Sequence, residues 1–256
     1  MRPVIRKAST MSKRAVILAG GMGTRLRPYT VVLPKPLMPV GEYPILEVIL
    51  RQLGRFGFDH VTLAVNHQAD IIRAFCGDGS RWGMRVDYSL EDRPLSTIGP
   101  LKLIANLPEH FVLMNGDVLT DLNIGQLFTE HVQQDRLFTI AASHRRHMVD
   151  YGVLHTNPAG HLSGFEEKPV LNYLVSMGIY VMNRTAVHQV PAGKSYGFDH
   201  LMLDFLARGE KVHIHTHDGY WLDIGRVDDY MRAVEEFDQM RDHLIQGEQA
   251  GQEHAE

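Results

Sequence analysis

The sequence has few of the residues that mark extracellular or membrane proteins. Cys76 is its only cysteine, which excludes an intramolecular disulfide and a metal site built from a cysteine cluster. No apolar run reaches the roughly 18 residues of a membrane helix, and the basic N-terminal stretch lacks the apolar centre of a secretory signal. The sequence therefore predicts a cytoplasmic protein with no membrane partner.

Positive charge is not in excess either. The chain carries 26 Lys and Arg against 30 Asp and Glu, a formal net charge of −4. Such a balance gives no long-range attraction to nucleic acid, so we expect no nucleic-acid partner. Any anionic ligand must be held by individually placed groups.

Short apolar runs alternate with helical patterns in the first half of the chain. The runs that predict buried strands are 14–19, 60–65, 84–90 and 111–115. Segments with helical spacing of apolar residues lie between them, at 44–56, 69–76 and 99–107. This βαβ series predicts an α/β fold with a doubly wound, mostly parallel, Rossmann-like sheet.

The second half has a different pattern. Segment 150–169 consists of two strand-like runs joined by the turn NPAG, which predicts an antiparallel insertion. Further strands are predicted around 177–183, 211–217 and 220–225, with helices at 198–208 and 228–240.

A glycine-rich turn, AGGMGTRLRPYT, follows the first predicted strand. At the carboxyl end of a parallel strand, glycines allow backbone N–H groups to close on phosphate oxygens. Gly20, Gly21 and Gly23 have this place. Their spacing is not G-x-G-x-x-G, because Leu26 occupies the last glycine position, and no Gly-Lys-Ser/Thr follows as in a P-loop. Taken alone, the glycines are also compatible with a plain tight turn.

The longer string AGGMGTRLRPYTVVLPKPLMPVGEYPIL closely resembles the N-terminal signature of the sugar-1-phosphate nucleotidyltransferases, the nucleoside-diphosphate-sugar pyrophosphorylases. The resemblance continues in the family's order through EDRPLSTIGPL, NGD, FEEKP, MGIYV and WLDIG, from about Arg14 to Phe237. It implies an enzyme in which a sugar 1-phosphate attacks the α-phosphorus of a nucleoside triphosphate and pyrophosphate leaves. The product would serve glycan or polysaccharide synthesis.

The resemblance also implies how the chain is divided. An N-terminal extension (1–13) would precede a single nucleotidyltransferase domain (14–241), and a flexible tail (242–256) would follow. Residues 14–145 would form the nucleotide-binding half and 146–241 the sugar-phosphate-binding half, which contains the insertion. We expect the chain to lack the C-terminal β-helix of long family members, so any oligomer, such as a homodimer, would form through the catalytic domain.

The resemblance assigns charged residues to the phosphates. Arg25 would hold the departing pyrophosphate, Lys35 would meet the triphosphate near its α-phosphate, and Lys168 would grip the sugar phosphate. Asp117 and Asp223 would bind Mg²⁺, which takes one or two carboxylates together with phosphate oxygens and waters. Taken singly, such a lysine is more often a solvated charge, and such an aspartate is as often a turn or helix cap.

The nucleobase is expected to meet Glu91. A carboxylate only accepts hydrogen bonds, so it could take both N1–H and N2–H of guanine, which favours GTP over UTP, dTTP or CTP. A charged residue in a surface loop is the alternative reading of Glu91. Ser96 and Ile98 stand where the family commonly has glycine and alanine. The full predicted nucleotide-binding set is Leu18, Ala19, Gly20, Gly21, Gly23, Thr24, Arg25, Lys35, Glu91, Pro94, Thr97, Asn115 and Gly116.

The predicted sugar-phosphate set is Gly152, Glu167, Lys168, Ser176 and Gly178. The guanylyltransferase reading suits mannose 1-phosphate or heptose 1-phosphate. Two alternatives remain open at this point: transfer to a phosphorylated alcohol such as phosphocholine, and a regulatory subunit without catalysis. Glu167 beside Lys168 favours a polyol acceptor, and retention of all the charged motif residues speaks against a silent subunit.

Three alternating histidines, His213, His215 and His217, would share one face of a strand. No carboxylate at matching spacing completes a metal site, so we predict a solvated or partly covered face instead.

Overall fold

A computed structural model describes residues 12–246. The predicted N-terminal extension up to residue 11 and the predicted tail from residue 247 lie outside the described residues. The strands are β1 (Lys13–Leu18), β2 (Pro39–Val40), β3 (Tyr43–Pro44), β4 (Phe58–Val65), β5 (Arg85–Leu90), β6 (His110–Asn115), β7 (Val118–Thr120), β8 (Phe138–Met148), β9 (Val153–Thr156), β10 (Leu162–Glu166), β11 (Val170–Asn183), β12 (Val212–Thr216) and β13 (Trp221–Asp223). The α-helices are α1 (Ile45–Arg55), α2 (Ala69–Cys76), α3 (Ile124–Gln133), α4 (Thr185–His188), α5 (Phe198–Arg208) and α6 (Val227–Arg241).

Seven strands form the central sheet, in the order β12-β8-β11-β6-β1-β4-β5. The pairs β1–β4, β1–β6, β4–β5 and β12–β8 are parallel, whereas β11 runs antiparallel to both of its neighbours. The sheet is therefore mostly parallel, and the predicted α/β fold class is confirmed.

Apolar side chains cover both faces of this sheet, because side chains alternate along a strand. On β1, Ala15 and Ile17 contribute to the core cluster that includes residues of α1, α2, α3 and α6. Val16, between them, belongs to a second cluster, which includes Leu201 and Phe205 of α5. Cores on both faces explain why β1 reads as a continuous apolar run, as in a doubly wound sheet.

The antiparallel insertion is confirmed as a hairpin. β9 and β10 pair antiparallel in a small sheet of their own, and the backbone N–H of Gly160 donates to the carbonyl of Asn157 in the connecting turn. β11 is longer than the predicted strand at 177–183, because its first half pairs with the far half of β8, with Val170 opposite Met148.

Two predicted boundaries differ from the structure. The helix expected at 99–107 is a short 3₁₀ helix, Gly99–Leu103. Proline follows its first residue, and the N–H groups of Ile98 and Gly99 both donate to the carbonyl of Tyr196, which commits the segment to a tight turn. At the other end, Asp242–Gln246 forms a π-helical turn in which Leu244 is buried, so the predicted domain boundary at residue 241 falls inside a helical segment.

Between residues 12 and 246, the structure contains no helix with both the length and the apolar character needed to cross a membrane.

Candidate active site

A cavity of about 390 Å³ opens at the carboxyl ends of β1, β4, β5 and β6. This is the edge at which open parallel sheets bind ligands. The structure brings most of the predicted nucleotide-binding residues to it. The lining residues are Leu18, Gly20, Gly21, Met22, Asn66, Glu91, Pro94, Ser96, Thr97, Asn115 and Asp117.

The glycine-rich turn forms one wall of this cavity. A Cβ added to Gly20 would lie 3.1 Å from the Cβ of Asn66, so the turn passes close to the end of β4. Gly23 has a φ of 57°, and an added Cβ would lie 2.8 Å from Cγ2 of Thr30. The Thr30 hydroxyl donates to the carbonyl of Gly23 at 2.7 Å. The turn therefore needs glycine at this position, for conformation and for space.

Predicted residues 24 and 25 lie in a 3₁₀ helix, Thr24–Leu26, that follows the turn. Leu26 is buried in the core, whereas Thr24 and Arg25 are exposed. The buried leucine anchors this turn, and the exposed face carries the arginine.

Lys35 is held by a second 3₁₀ helix, Lys35–Leu37, between two prolines that restrict the backbone. The residue is only 9% exposed, and its ammonium forms an ion pair with Oδ2 of Asp117. The other carboxylate oxygen of Asp117, Oδ1, is buried and has no hydrogen-bond partner within residues 12–246. Lys35 is thus a placed charge rather than a solvated one.

Asp223 is brought beside Asp117 by pairing of short strands. In the β13–β7 pair Asp223 lies opposite Val118, and the N–H of Ile224 donates to the carbonyl of Asp117 at 3.0 Å. The residue Asp223 is exposed, but the atoms around its carboxylate partly desolvate it. This burial raises the pKa of Asp223, the charge of Asp117 adds to the rise, and Lys35 opposes it.

Arg25 completes this charged cluster. A Cβ added to Gly225 would lie 3.6 Å from both terminal nitrogens of Arg25 and 3.5 Å from Oδ2 of Asp223. The structure thus brings the four predicted catalytic residues together, although they come from four separate segments. We call Arg25, Lys35, Asp117 and Asp223 the charged cluster.

Glu91 lines the cavity next to the glycine-rich turn, since a Cβ added to Gly20 would lie 3.4 Å from its Oε1, and it is buried rather than in a solvated loop. Its Oε2 accepts a hydrogen bond from the N–H of Leu95 at 3.1 Å, which closes the loop after β5. Burial raises the pKa of Glu91, and the bond from Leu95 only partly offsets this rise. Ser96, in the same loop, adopts a φ of 65°, a region that favours glycine.

The predicted sugar-phosphate residues form two groups. Ser176 and Gly178 lie where β11 bulges: the Ser176 hydroxyl accepts from the N–H of Gly178 at 3.2 Å. Gly178 has a φ of 73°, and a Cβ there would lie 2.5 Å from the side-chain nitrogen of Asn115, so this group borders the cavity. In the second group, a Cβ added to Gly152 would lie 3.2 Å from Oε2 of Glu167.

Lys168 follows Glu167 at the base of the hairpin, with a φ of 45°, and its side chain is exposed. Within residues 12–246, no hydrogen bond or ion pair joins Glu167 or Lys168 to the charged cluster. The structure therefore groups these residues with Gly152 on the insertion.

Some predicted residues do not line the cavity, and some lining residues were missed. Ala19 and Gly116 instead connect strand ends by backbone hydrogen bonds. The N–H of Ala19 donates to the carbonyl of Ala64, and the N–H of Gly116 donates to the carbonyl of Leu18. Met22, Asn66 and Ser96 line the cavity without having been predicted. The sequence could have predicted that Asn66 lies at this site, since it directly follows the predicted strand at 60–65.

The three alternating histidines form a partly covered face, as predicted. His217 Nε2 lies 2.7 Å from Oδ1 of Asp121, and His215 Nδ1 lies 3.9 Å from Oε2 of Glu130. His213 is half-buried, and this burial lowers its pKa.

The sequence matches the pattern of the Nucleotidyl transferase family over residues 14–240. It is 32% identical over 242 residues to UTP–glucose-1-phosphate uridylyltransferase of Synechocystis sp., with 86% of this chain and 62% of that relative covered. It is 30% identical over 229 residues to mannose-1-phosphate guanyltransferase of Yarrowia lipolytica, with 86% and 63% covered. The chain thus spans less than two thirds of the length of these relatives.

Among solved structures, the crystal structure of HddC from Yersinia pseudotuberculosis complexed with GMP-PN aligns with a TM-score of 0.66 and 26% identity. The alignment covers 88% of this chain and 99% of that chain. The family pattern begins at the second residue of β1 and ends at the last turn of α6, so it includes the glycine-rich turn and the whole charged cluster. This protein belongs to the nucleotidyl transferase family.

Proposed function

We propose that this protein joins a nucleoside triphosphate to a sugar 1-phosphate and releases pyrophosphate. The observation that carries the proposal is the charged cluster beside the glycine-rich turn. An oxygen of the sugar 1-phosphate would bond to the α-phosphorus while the bond from that phosphorus to the bridging oxygen of pyrophosphate breaks. The pyrophosphate leaves with the bonding electrons, and no proton has to be removed from the ionised attacking phosphate.

The protein's task in such a transfer is to position and neutralise two polyanions. Lys35 supplies positive charge next to the cavity, because it is paired with Asp117, which lines it, and Arg25 adds a second positive charge near Asp223. The open side of the turn at Gly21 gives phosphate oxygens access to backbone N–H groups. We infer that Lys35 exchanges its ion pair with Asp117 for a phosphate oxygen when the triphosphate binds.

Asp117 and Asp223 fit a divalent cation. The buried Oδ1 of Asp117 has no hydrogen-bond partner within residues 12–246, and the pKa of Asp223 is raised by burial and by the carboxylate of Asp117. Although Lys35 pairs with the other oxygen of Asp117, these two neighbouring carboxylates thus keep oxygen donors free for a cation. Hard cations such as Mg²⁺ take such ligands. These two aspartates would hold Mg²⁺, which when bound would neutralise charge on the phosphate oxygens.

We propose GTP as the favoured nucleotide. Glu91 is buried at the cavity wall with one oxygen bonded to Leu95, which leaves the other for a donor on the base. Guanine offers N1–H and N2–H on one edge, whereas uracil offers a single donor there. Similarity to a mannose-1-phosphate guanyltransferase and to HddC complexed with GMP-PN supports this choice, and similarity to a uridylyltransferase names the main competitor.

The sugar phosphate is proposed to bind between the bulge of β11 and the hairpin, with mannose 1-phosphate or heptose 1-phosphate as the favoured acceptors. The bulge borders the nucleotide cavity through Asn115, so an acceptor there would lie next to the triphosphate. The nucleoside-diphosphate sugar formed would supply glycan or polysaccharide synthesis in the cytoplasm.

The test is a substrate panel. The full chain with Mg²⁺ is assayed for pyrophosphate release with GTP, UTP, dTTP, CTP and ATP, each paired with several sugar 1-phosphates and with phosphocholine. We expect release with GTP and a sugar 1-phosphate to be fastest. Faster release with UTP would overturn the assignment of Glu91, and no release from any pair would leave the regulatory-subunit alternative in place.

A further inference from the structure

A second cavity lies along one face of the sheet, from the amino ends of β1, β4 and β5, far from the glycine-rich turn, up to Ser89 on β5. It has a volume of about 640 Å³, and we call it the rear cavity. Arg14, His60 and Arg85 lie in register at the amino ends of β1, β4 and β5, so their side chains share one face of the sheet. Arg14 and Leu18, which lines the active-site cavity, are four residues apart on β1, a separation of about 13 Å.

Arg14 is a buried cation that has no carboxylate partner among residues 12–246. It is 7% exposed, and its guanidinium donates to neutral oxygens: to Oγ1 of Thr62 at 3.0 and 2.6 Å, and to the carbonyl of Asn106 at 3.0 Å. These bonds leave other N–H groups of the fork to donate elsewhere. Within the described part of the chain, no ion pair engages Arg14.

Among the described residues, one carboxylate lines the rear cavity, and it is already shared. Asp87 lies 2.8 Å from Nε2 of His60 and accepts from Nε of Arg85 at 3.0 Å. Asp59 lies next to the cavity, where it accepts a hydrogen bond from the hydroxyl of Ser12 at 2.8 Å. Among the described residues that line the cavity, two guanidinium groups and an imidazole therefore face a single carboxylate.

A buried charge is costly unless an opposite charge pairs with it. An uncharged ligand would leave the buried charge of Arg14 without an opposite charge, whereas an anion would neutralise it. Guanidinium forks suit phosphate oxygens, and the hydroxyl of Ser89 in the cavity wall supplies a further donor. The volume lies within the range of about 300–1,000 Å³ typical of small-molecule sites.

We propose that the rear cavity is a second ligand site, separate from the active site, that binds a small phosphate-bearing molecule through Arg14 and Arg85. Arg14 provides the fixed, buried charge. Arg85, whose side chain is largely exposed, turns from Asp87 toward the phosphate.

Equilibrium dialysis of the full chain against radioactive inorganic phosphate tests this site. Arg14 is part of the buried structure of β1, so Arg85 is the residue to change. We expect Arg85→Gln to weaken the rear site at least 10-fold. Lys35→Gln, which removes a cation of the active site, should keep one phosphate site per chain. Arg208→Gln on the exposed surface of α5 is the matched control and should bind as the wild type does.

Asp87→Asn separates a ligand site from a merely structural cluster. Removing the one negative charge should strengthen phosphate binding, whereas loss of a structural contact would weaken it. Pyrophosphate release in phosphate-free buffer should be unchanged in Arg85→Gln, because Arg85 lies at the far edge of the sheet. Wild-type phosphate binding by Arg85→Gln, or loss of all binding in Lys35→Gln, would overturn the proposal.

Discussion

The opposite charges of Lys35 and Asp117 compensate each other at a place where water solvates neither side chain well. The lysine is buried, and one oxygen of the aspartate has no hydrogen-bond partner in the described part of the chain. Asp223 adds a second negative charge, and burial together with that neighbour raises its pKa. The charges are thus nearly balanced without ligand, and a metal ion would offset part of the negative charge that a triphosphate brings. Electrostatic preorganisation of this kind needs no large rearrangement when the substrates bind.

We expect Asp223→Asn to lower the rate of pyrophosphate release at least about 100-fold, because the amide keeps the shape but removes the charge toward a metal and its phosphates. Asp117→Asn should lose as much activity and also some stability, since Lys35 is left buried without its partner. Steady-state kinetics and thermal unfolding measure the two effects. Asp228→Asn, on the exposed first turn of α6, is the control, and a near-normal rate in Asp223→Asn would remove that residue from the active site.

Ser96 carries a conformational cost that glycine would not have. Its φ of 65° costs an L-residue about 1–2 kcal/mol, and the greater freedom of glycine in the unfolded chain offsets about 0.5–1 kcal/mol of the relief. We expect Ser96→Gly to raise the free energy of unfolding in urea by about 0.5–1 kcal/mol. Ser96→Ala keeps the strained Cβ and should bring no gain, and an equal gain in both variants would refute the strain argument.

At the scale of elements, the site is built from short turns that follow rigid strands. Three 3₁₀ helices lie between Thr24 and Leu37, and each places one or two polar residues while a buried residue, such as Leu26 or Leu37, anchors it. The hairpin β9–β10 differs, because it forms a separate sheet whose side chains are mostly exposed. The core therefore does not depend on the hairpin.

Replacing residues 151–168 by a Gly-Ser-Gly-Ser linker tests this independence. The N–H of Val149 donates to the carbonyl of Pro169 at 3.0 Å, so a short linker can join the flanking strands. We expect the melting temperature to change by only a few degrees, GTP binding to persist, and transfer to the sugar phosphate to be lost. Pro158→Ala at the hairpin tip is the control. Unfolding of the deletion variant, or transfer by it, would contradict this division of roles.

At the scale of the whole molecule, stability is tied to a buried histidine pair. His131 is fully buried, its Nδ1 lies 2.8 Å from the Thr139 hydroxyl, and its ring packs edge-on against His110 at 5.2 Å. Burial, and then the charges of His110 and Arg136, lower the pKa of His131 to about 3. The folded protein therefore keeps this ring neutral where the unfolded chain takes up a proton.

Acid should consequently unfold the protein in a defined window. The unfolded chain binds the proton below about pH 6.5 and the folded protein only near pH 3, so stability falls as pH drops through this range, by up to about 1.4 kcal/mol per pH unit. Melting temperatures from pH 8 to pH 4 measure the slope. We expect a shallower slope in His131→Gln, which does not titrate there, and the wild-type slope in the control His188→Gln. Equal slopes in all three proteins would show that His131 is not responsible.

The order of strands and helices could be predicted from the sequence because hydrophobic periodicity and glycine turns are local signals. The runs at 14–19, 60–65 and 111–115 became β1, β4 and β6 with shifts of one or two residues, and the motif residues identified the family. The segment at 99–107 was misjudged because a distant carbonyl, that of Tyr196, decides how its backbone is hydrogen-bonded.

Only the tertiary structure decided which charges meet. Lys35 and Asp117 are 82 residues apart and become an ion pair because β1 and β6 are neighbours in the sheet. The burial of Glu91, the position of Asn66 and the burial of Arg14 in the rear cavity likewise depend on strand order and on what covers each sheet face. The spacing of residues along the chain does not indicate such distances, because residues far apart in sequence become neighbours only when the strands pack side by side.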